Sequence, residues 1–487
     1  MTLFMDLLPE ALPTKLHREN VDRSCLKPFL IGRKSEKMEF KPLDAALLIF
    51  FIWAGVFSRV FRIQFPRTAV FDEIYFGNFT NNYIQGLYFF DIHPPLAKLI
   101  MAAAAKISNY ADMYDFENIS KNNYYPTTNY VFLRTVPAFF SGLCVPLVYL
   151  ILRVIGVDYF SASIGGFIMA TDIMLIVEGR HILSDGILHF FCCLAILAVF
   201  IDEKLNTSLS FMLKNIAIGL ACSCKFTAGG VALFSFLRDM CFVSFKSKLL
   251  RNAQLTQVYL RLCFNILVVS IIIMCLTCIH LELLPYQNGY FAPECINKTL
   301  VNQSFPDWTR RSLNPVPYRA LVLLAYQLSS NSQTLKHHPY SSPWWSWPLV
   351  TKKWVLFWTE KGRHIVCMGS PLIWYPVFFS TIYVFFSCIS YENFADPCFG
   401  TMLGYYASLI PFVLIPRETF LYHYALSFIF GVLTLSTVIG NLRPFFKGFI
   451  ESLFLLLIIT SFCLFSTFAY GLEELDFGFR ILNKNWI

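Results

Sequence analysis

Long apolar runs separated by short polar links dominate the chain. Crossing ~30 Å of hydrocarbon takes about 20 apolar residues in a helix. Runs of that kind fall at roughly 43–61, 130–153, 158–176, 183–202, 209–224, 226–243, 262–283, 372–390, 400–416, 421–440 and 449–470, about eleven in all. The pattern predicts an all-α polytopic membrane bundle. The two short halves around "GLACSCKFTAGG" leave open one broken helix in place of two spans. The run "LAKLIMAAAAKI" is too short to span, and predicts an interfacial or re-entrant helix.

Two long connections interrupt the pattern, at about 62–129 and 284–371. The expected organisation is therefore a tail over 1–42, a membrane half over 43–283 that includes 62–129, a Trp-rich loop over 284–371, membrane helices over 372–470, and a final tail over 471–487. The tryptophans Trp308, Trp344, Trp345, Trp347, Trp354, Trp358 and Trp374 read as an interfacial anchoring belt, or else as a platform for sugar or peptide.

Composition agrees with the pattern. Of the 487 residues, 56% are hydrophobic and 14% charged; soluble domains carry about 25% charge. The net charge of +8 does not imply nucleic acid, because the basic residues gather at span flanks. Arg153, Lys204, Lys246, Lys248, Arg251, Arg261, Arg443 and Lys447 mark one side as cytosolic. The first forty residues lack the order of a cleavable signal, so the tail is expected in the cytosol with the first span as its anchor. Both long connections then face the lumen. Sequons occur at Asn78, Asn118, Asn206, Asn297 and Asn302, all but Asn206 on that side. The fifteen cysteines lie mostly inside apolar runs and show no zinc-site spacing.

Candidate chemistry concentrates at the expected lumenal ends. "FDEIYFGNFTNNYIQGLYFFDIHPP" supplies Asp72, Glu73, Asp91 and His93. Neighbours on a helix point about 100° apart, so Asp72 and Glu73 cannot make one tight dyad. One is expected to face a substrate while the other meets a basic partner, with Arg59 a candidate for Glu73. The two prolines would hold Asp91 and His93 in a fixed direction. Arg134, Lys225 and Asp185, with Glu178, Arg180 and His181, sit at further span ends. Cations suit a phosphate, and a carboxylate suits proton removal. No spacing demands a metal, although histidines and carboxylates near a phosphate leave a divalent ion open.

"FDEIYFGNFTNNYIQGLYFFDIHPPLAKL" closely resembles the first lumenal loop of the dolichyl-phosphate-mannose–protein mannosyltransferases. "LRTVPAFFSG", "RHILSDGILHFF", "GLACSCKFT", "HPYSSPWWSWPL", "GSPLIWY" and "FLYHYALSFIF" follow in the family order, over most of 43–440. The resemblance implies a GT-C type glycosyltransferase bundle in the endoplasmic reticulum membrane. It implies transfer of mannose from dolichyl phosphate mannose, the lipid donor, to serine or threonine of secretory polypeptides. Family members commonly pair, so a homo- or heterodimer is implied too. By motif position Asp72 would be the general base of an inverting transfer, with Glu73 beside it. Arg59, Arg134, Lys225 and Asp185 would meet the donor's phosphate or sugar. Asp91, His93 and His423 would shape the acceptor loop. This chain departs from the pattern at Tyr75, where relatives carry histidine, and at Tyr422, where they carry the first of two. The second long loop is also too short for the β-trefoil (MIR) domain usual in eukaryotic members. A GT-C transferase acting on a lipid acceptor and a polytopic transporter remain as alternatives.

Overall fold

The computed structural model describes residues 41–120, 123–241, 243, 248–302, 314–333, 338–391, 396–472 and 486. Most of the N-terminal tail, Trp308, Lys246 and most of 471–487 lie outside the described residues. Helices dominate: α1 (Pro42–Val60), α2 (Glu73–Gln85), α3 (Leu96–Ile107), α4 (Phe116–Ser120), α5 (Tyr130–Val154), α6 (Tyr159–Thr171), α7 (Ile173–Gly179), α8 (Asp185–Leu205), α9 (Ser208–Cys222), α10 (Gly229–Cys241), α11 (Lys248–Leu283), α12 (Glu294–Asn297), α13 (Val316–Asn331), α14 (Pro371–Tyr391), α15 (Pro397–Leu409), α16 (Ala425–Gly440) and α17 (Pro444–Tyr470). A two-stranded antiparallel hairpin, β1 (Val355–Glu360) and β2 (Arg363–Cys367), precedes α14.

Every apolar run of the sequence lies on a helix, but not every one is of spanning length. Among the described residues seven helices are long and apolar enough to cross a membrane, or eight if the pair α6–α7, bent by 54°, is one span. The remaining runs of the eleven expected lie on shorter helices. The apolar part of α14 is shorter, and α9 and α10 have 15 and 13 residues. These last two form a hairpin and not one broken helix. Lys214 midway along α9 and Asp239 near the end of α10 meet Asp202 of α8 and Arg261 of α11 at one end of the bundle. Lys225, in the turn between α9 and α10, meets Asp185 at the other end.

Close approach fixes the first helix pair. A Cβ at Gly55 of α1 would fall 2.2 Å from the Gly142 carbonyl oxygen of α5, so only glycine fits. Asp44 then ties the far end of α1 to Tyr149 and Arg153, at 2.6 Å each. Helix α7 begins where Asp172 caps it, accepting from the Leu175 N–H at 3.0 Å. The other Asp172 oxygen accepts from Trp374 Nε1 at 2.9 Å.

Most of the tryptophans are interior, which corrects both the belt and the platform readings. Trp347, Trp354, Trp358 and Trp374 are buried, and Trp345 is exposed. Trp358 donates to Thr68 Oγ1 at 2.8 Å, and Phe71 N–H donates to the Phe357 carbonyl at 3.1 Å. Strand β1 thus holds the segment that leads into α2.

Candidate active site

Asp72 and Glu73 open α2 and meet different environments. Glu73 is fully buried. Arg134 grips it with two prongs, Nε to Oε1 and Nη2 to Oε2, both 2.7 Å. The backbone N–H groups of Val70 and Ile182 donate to it at 2.9 Å each. Burial alone would raise the Glu73 carboxyl, but the Arg134 guanidinium holds it well below the usual carboxylate range. Glu73 is an anchor for the start of α2.

One expected pairing is corrected by these contacts. Arg134 is fully buried and spends its remaining donors on the carbonyls of Ile63, Pro66 and Thr68. Arg59 does not pair with Glu73. It too is fully buried, and donates to Ser58, Ser141 and the carbonyls of Met169 and Ala170. Both arginines hold backbone and helices together, which their positions at span ends did not reveal.

Asp72 is the N-cap residue of α2, yet its side chain makes no capping bond. The carboxylate is half-buried, and no described residue donates a hydrogen bond to it. Next to it, Phe71 stacks on Phe357 at 4.2 Å and meets Tyr422 edge-on at 6.0 Å. Burial pushes the Asp72 carboxyl up to about 6; the Lys225 charge opposes this, and the charges of Asp185 and Asp91 add to it.

A small, partly open pocket lies against Tyr422, with Asp185, His189, Lys225, Thr227 and His423 in its wall. Lys225 Nζ sits 2.7 Å from Asp185 Oδ1. The α9–α10 hairpin carries the lysine there, and the start of α8 carries the aspartate. His423 belongs to this wall and not to the loop of Asp91 and His93. Its Nδ1 is 3.0 Å from the Phe420 amide nitrogen, and its ring stacks on Trp347.

Asp91 and His93 are held from two sides. Lys98 pairs with the Asp91 carboxylate and donates to the His93 and Pro94 carbonyls at 2.9 and 3.1 Å. From α13, Gln327 donates to the Asp91 and His93 carbonyls, and Asn331 to that of Ile92 at 2.7 Å. Burial, with the Lys225 and Lys98 charges, pushes the His93 imidazole well below its ordinary value, so it is neutral. Among the described residues no group of three or more His, Cys, Asp and Glu side chains is arranged to hold a metal ion. Tyr75, in the first turn of α2, is exposed.

Sequence reasoning missed His189 and Arg417. His189 lies one helical turn after Asp185, so the i, i+4 spacing could have placed it on the same face. Arg417 bonds Asn331 Oδ1 at 2.7 Å, and its charge is felt at His93.

The dolichyl-phosphate-mannose-protein mannosyltransferase family model matches residues 49–284, and the model of the C-terminal four-helix membrane region of protein O-mannosyltransferase matches 321–486. The chain belongs to the protein O-mannosyltransferase family. Family relatives include dolichyl-phosphate-mannose–protein mannosyltransferase 1 of Saccharomyces cerevisiae, 32% identical over 235 residues, which are 45% of this chain and 28% of the relative. Protein mannosyltransferase 4 of Schizosaccharomyces pombe is 36% identical over 183 residues, 37% of this chain and 24% of the relative. These alignments span about a quarter of the relatives' length. The S. cerevisiae Pmt1–Pmt2 complex bound to the sugar donor matches at TM-score 0.74 and 18% identity, over 89% of this chain and 91% of the matched one. The oligosaccharyltransferase of Archaeoglobus fulgidus matches at TM-score 0.52 and 13% identity, over 88% and 56%. At such identities the likeness is one of fold, that of the GT-C membrane glycosyltransferases.

Proposed function

We propose that this protein transfers mannose from dolichyl phosphate mannose to serine or threonine hydroxyls of polypeptides in the endoplasmic reticulum lumen. The observation that carries the reading is the Asp72 carboxylate, which accepts no hydrogen bond from any described residue and sits beside the wall of a cavity with a lysine in it. In this reading Asp72 takes the proton of the acceptor hydroxyl. The hydroxyl oxygen bonds to the anomeric carbon as the bond from that carbon to the phosphate oxygen breaks. Configuration inverts, and dolichyl phosphate leaves with the electron pair. Lys225 meets the charge that develops on the leaving phosphate. Asp185 holds Lys225 in place, and the Asp91–His93 loop bounds the acceptor side. Glu73 acts through Asp72, by fixing the backbone that presents it.

Basic links at the end that holds Lys214, Asp239 and Arg261 support a cytosolic placement for that end, and hence a lumenal one for Asp72. The matched solved structure is a complex of two proteins, which supports a dimer with a family member here. The test is incubation of membranes holding the full chain with radiolabelled dolichyl phosphate mannose and a serine/threonine-rich peptide. Label on the peptide is the expected result. Label that stays in lipid products overturns the choice of acceptor.

A further inference from the structure

Behind the cavity lies an acid–imidazole pair, with no part in the proton transfer just described. Glu178, on the last turn of α7, is 1% exposed, and neither carboxylate oxygen accepts a hydrogen bond from any described residue. His189 Nε2 lies 3.7 Å from Glu178 Oε2, too long for a hydrogen bond, and His189 Nδ1 is buried without a hydrogen-bond partner among the described residues. His189 lines the cavity one turn below Asp185. The charges that act on Glu178 are those of Asp185 and Lys225 in the same wall, and of Asp172. A buried carboxylate with every acceptor position unused is costly, unless a group rich in donors meets it.

Charge divides the labour along this wall. A phosphate is drawn to the Lys225 ammonium and, as an acceptor, has no donor to offer Glu178. A polyprenyl chain has no donors to offer. A hexose carries several hydroxyls, each able to donate to a carboxylate or an imidazole. We propose that Glu178 and His189 form the subsite that reads the hydroxyl groups of the donor's sugar. This rests on the reading of the cavity as the donor site, and adds where the sugar is recognised.

The test uses the purified full chain in mild detergent. Unlabelled dolichyl phosphate mannose, dolichyl phosphate glucose and dolichyl phosphate compete against labelled dolichyl phosphate mannose. Wild type should hold the mannosyl lipid more tightly than the bare phosphate. Glu178→Gln, which keeps the size of the side chain, should weaken mannosyl-lipid binding about tenfold while leaving dolichyl phosphate unchanged. The preference for mannose over glucose should shrink with it. His189→Asn should act in the same direction. Equal weakening for sugar-bearing and bare lipid means a structural role and overturns the proposal, as does no change in either. If wild type binds none of the three lipids, the donor-site reading itself falls, and this subsite with it.

Discussion

Adjacent carboxylates at 72 and 73 have opposite tasks because of what surrounds each. Asp72→Asn removes the proton acceptor without disturbing any hydrogen bond of the described residues. Mannose transfer by membranes carrying it should fall by roughly 10²–10⁴-fold, with thermal unfolding unchanged. With the Asp72 carboxyl near 6, the base is ionised at neutral pH and protonated in acid. The transfer rate should therefore be level above about pH 7, half-maximal near 6, and fall about tenfold per unit below that in a pH–rate profile. Glu73→Gln breaks a buried pair and strands the Arg134 charge, so it should destabilise by roughly 3–5 kcal/mol, read as a lowered melting temperature in detergent. The sequence made the acidic pair conspicuous, and geometry along a helix required the two to diverge. Which arginine serves Glu73 was not legible. Arg59 and Arg134 stand at equivalent span ends, and 61 residues separate Glu73 from its true partner.

Helix α13 shows what an element adds to that picture. It packs beside α11 and sends Gln327 and Asn331 to three consecutive carbonyls, those of Asp91, Ile92 and His93. Gln327→Leu leaves two of those carbonyls without this donor. It should raise hydrogen exchange across residues 90–96 and lower transfer severalfold, with Glu73 and its contacts intact. Nothing local in "VPYRALVLLAYQLSSN" announces this task, since its meaning lies in a loop more than 230 residues away. The spanning helices were far more legible, because hydrocarbon demands length and apolarity, and both are written along the chain. Where length fell short, at α9 and α10, periodicity could not choose between a broken helix and a hairpin. Charges at the two ends of the pair decided it.

For the whole molecule, the charges sort into two ends. Asp202, Lys214, Asp239 and Arg261 gather at one, and Asp72, Asp91, Asp185 and Lys225 at the other. A membrane-impermeant thiol reagent should label Glu117→Cys, on α4, only when the lumen is opened, and Asn252→Cys, on α11, in sealed microsomes. The reverse pattern would put Asp72 on the cytosolic side. The core of the bundle was predictable as a class, but its interior tryptophans were not. Their place depends on partners such as Asp172 and Thr68, far off in sequence.

The Glu73 carboxylate takes hydrogen bonds from a side chain, Arg134, and from the backbone N–H groups of Val70 and Ile182. They hold the side chain, while the Glu73 N–H donates to the Val70 carbonyl at 3.0 Å, so the chemical end of the molecule has its mechanical datum one residue away. What freedom the reacting oxygen keeps is then confined to its own short side-chain torsions, and the rest of the bundle can breathe without moving it out of reach.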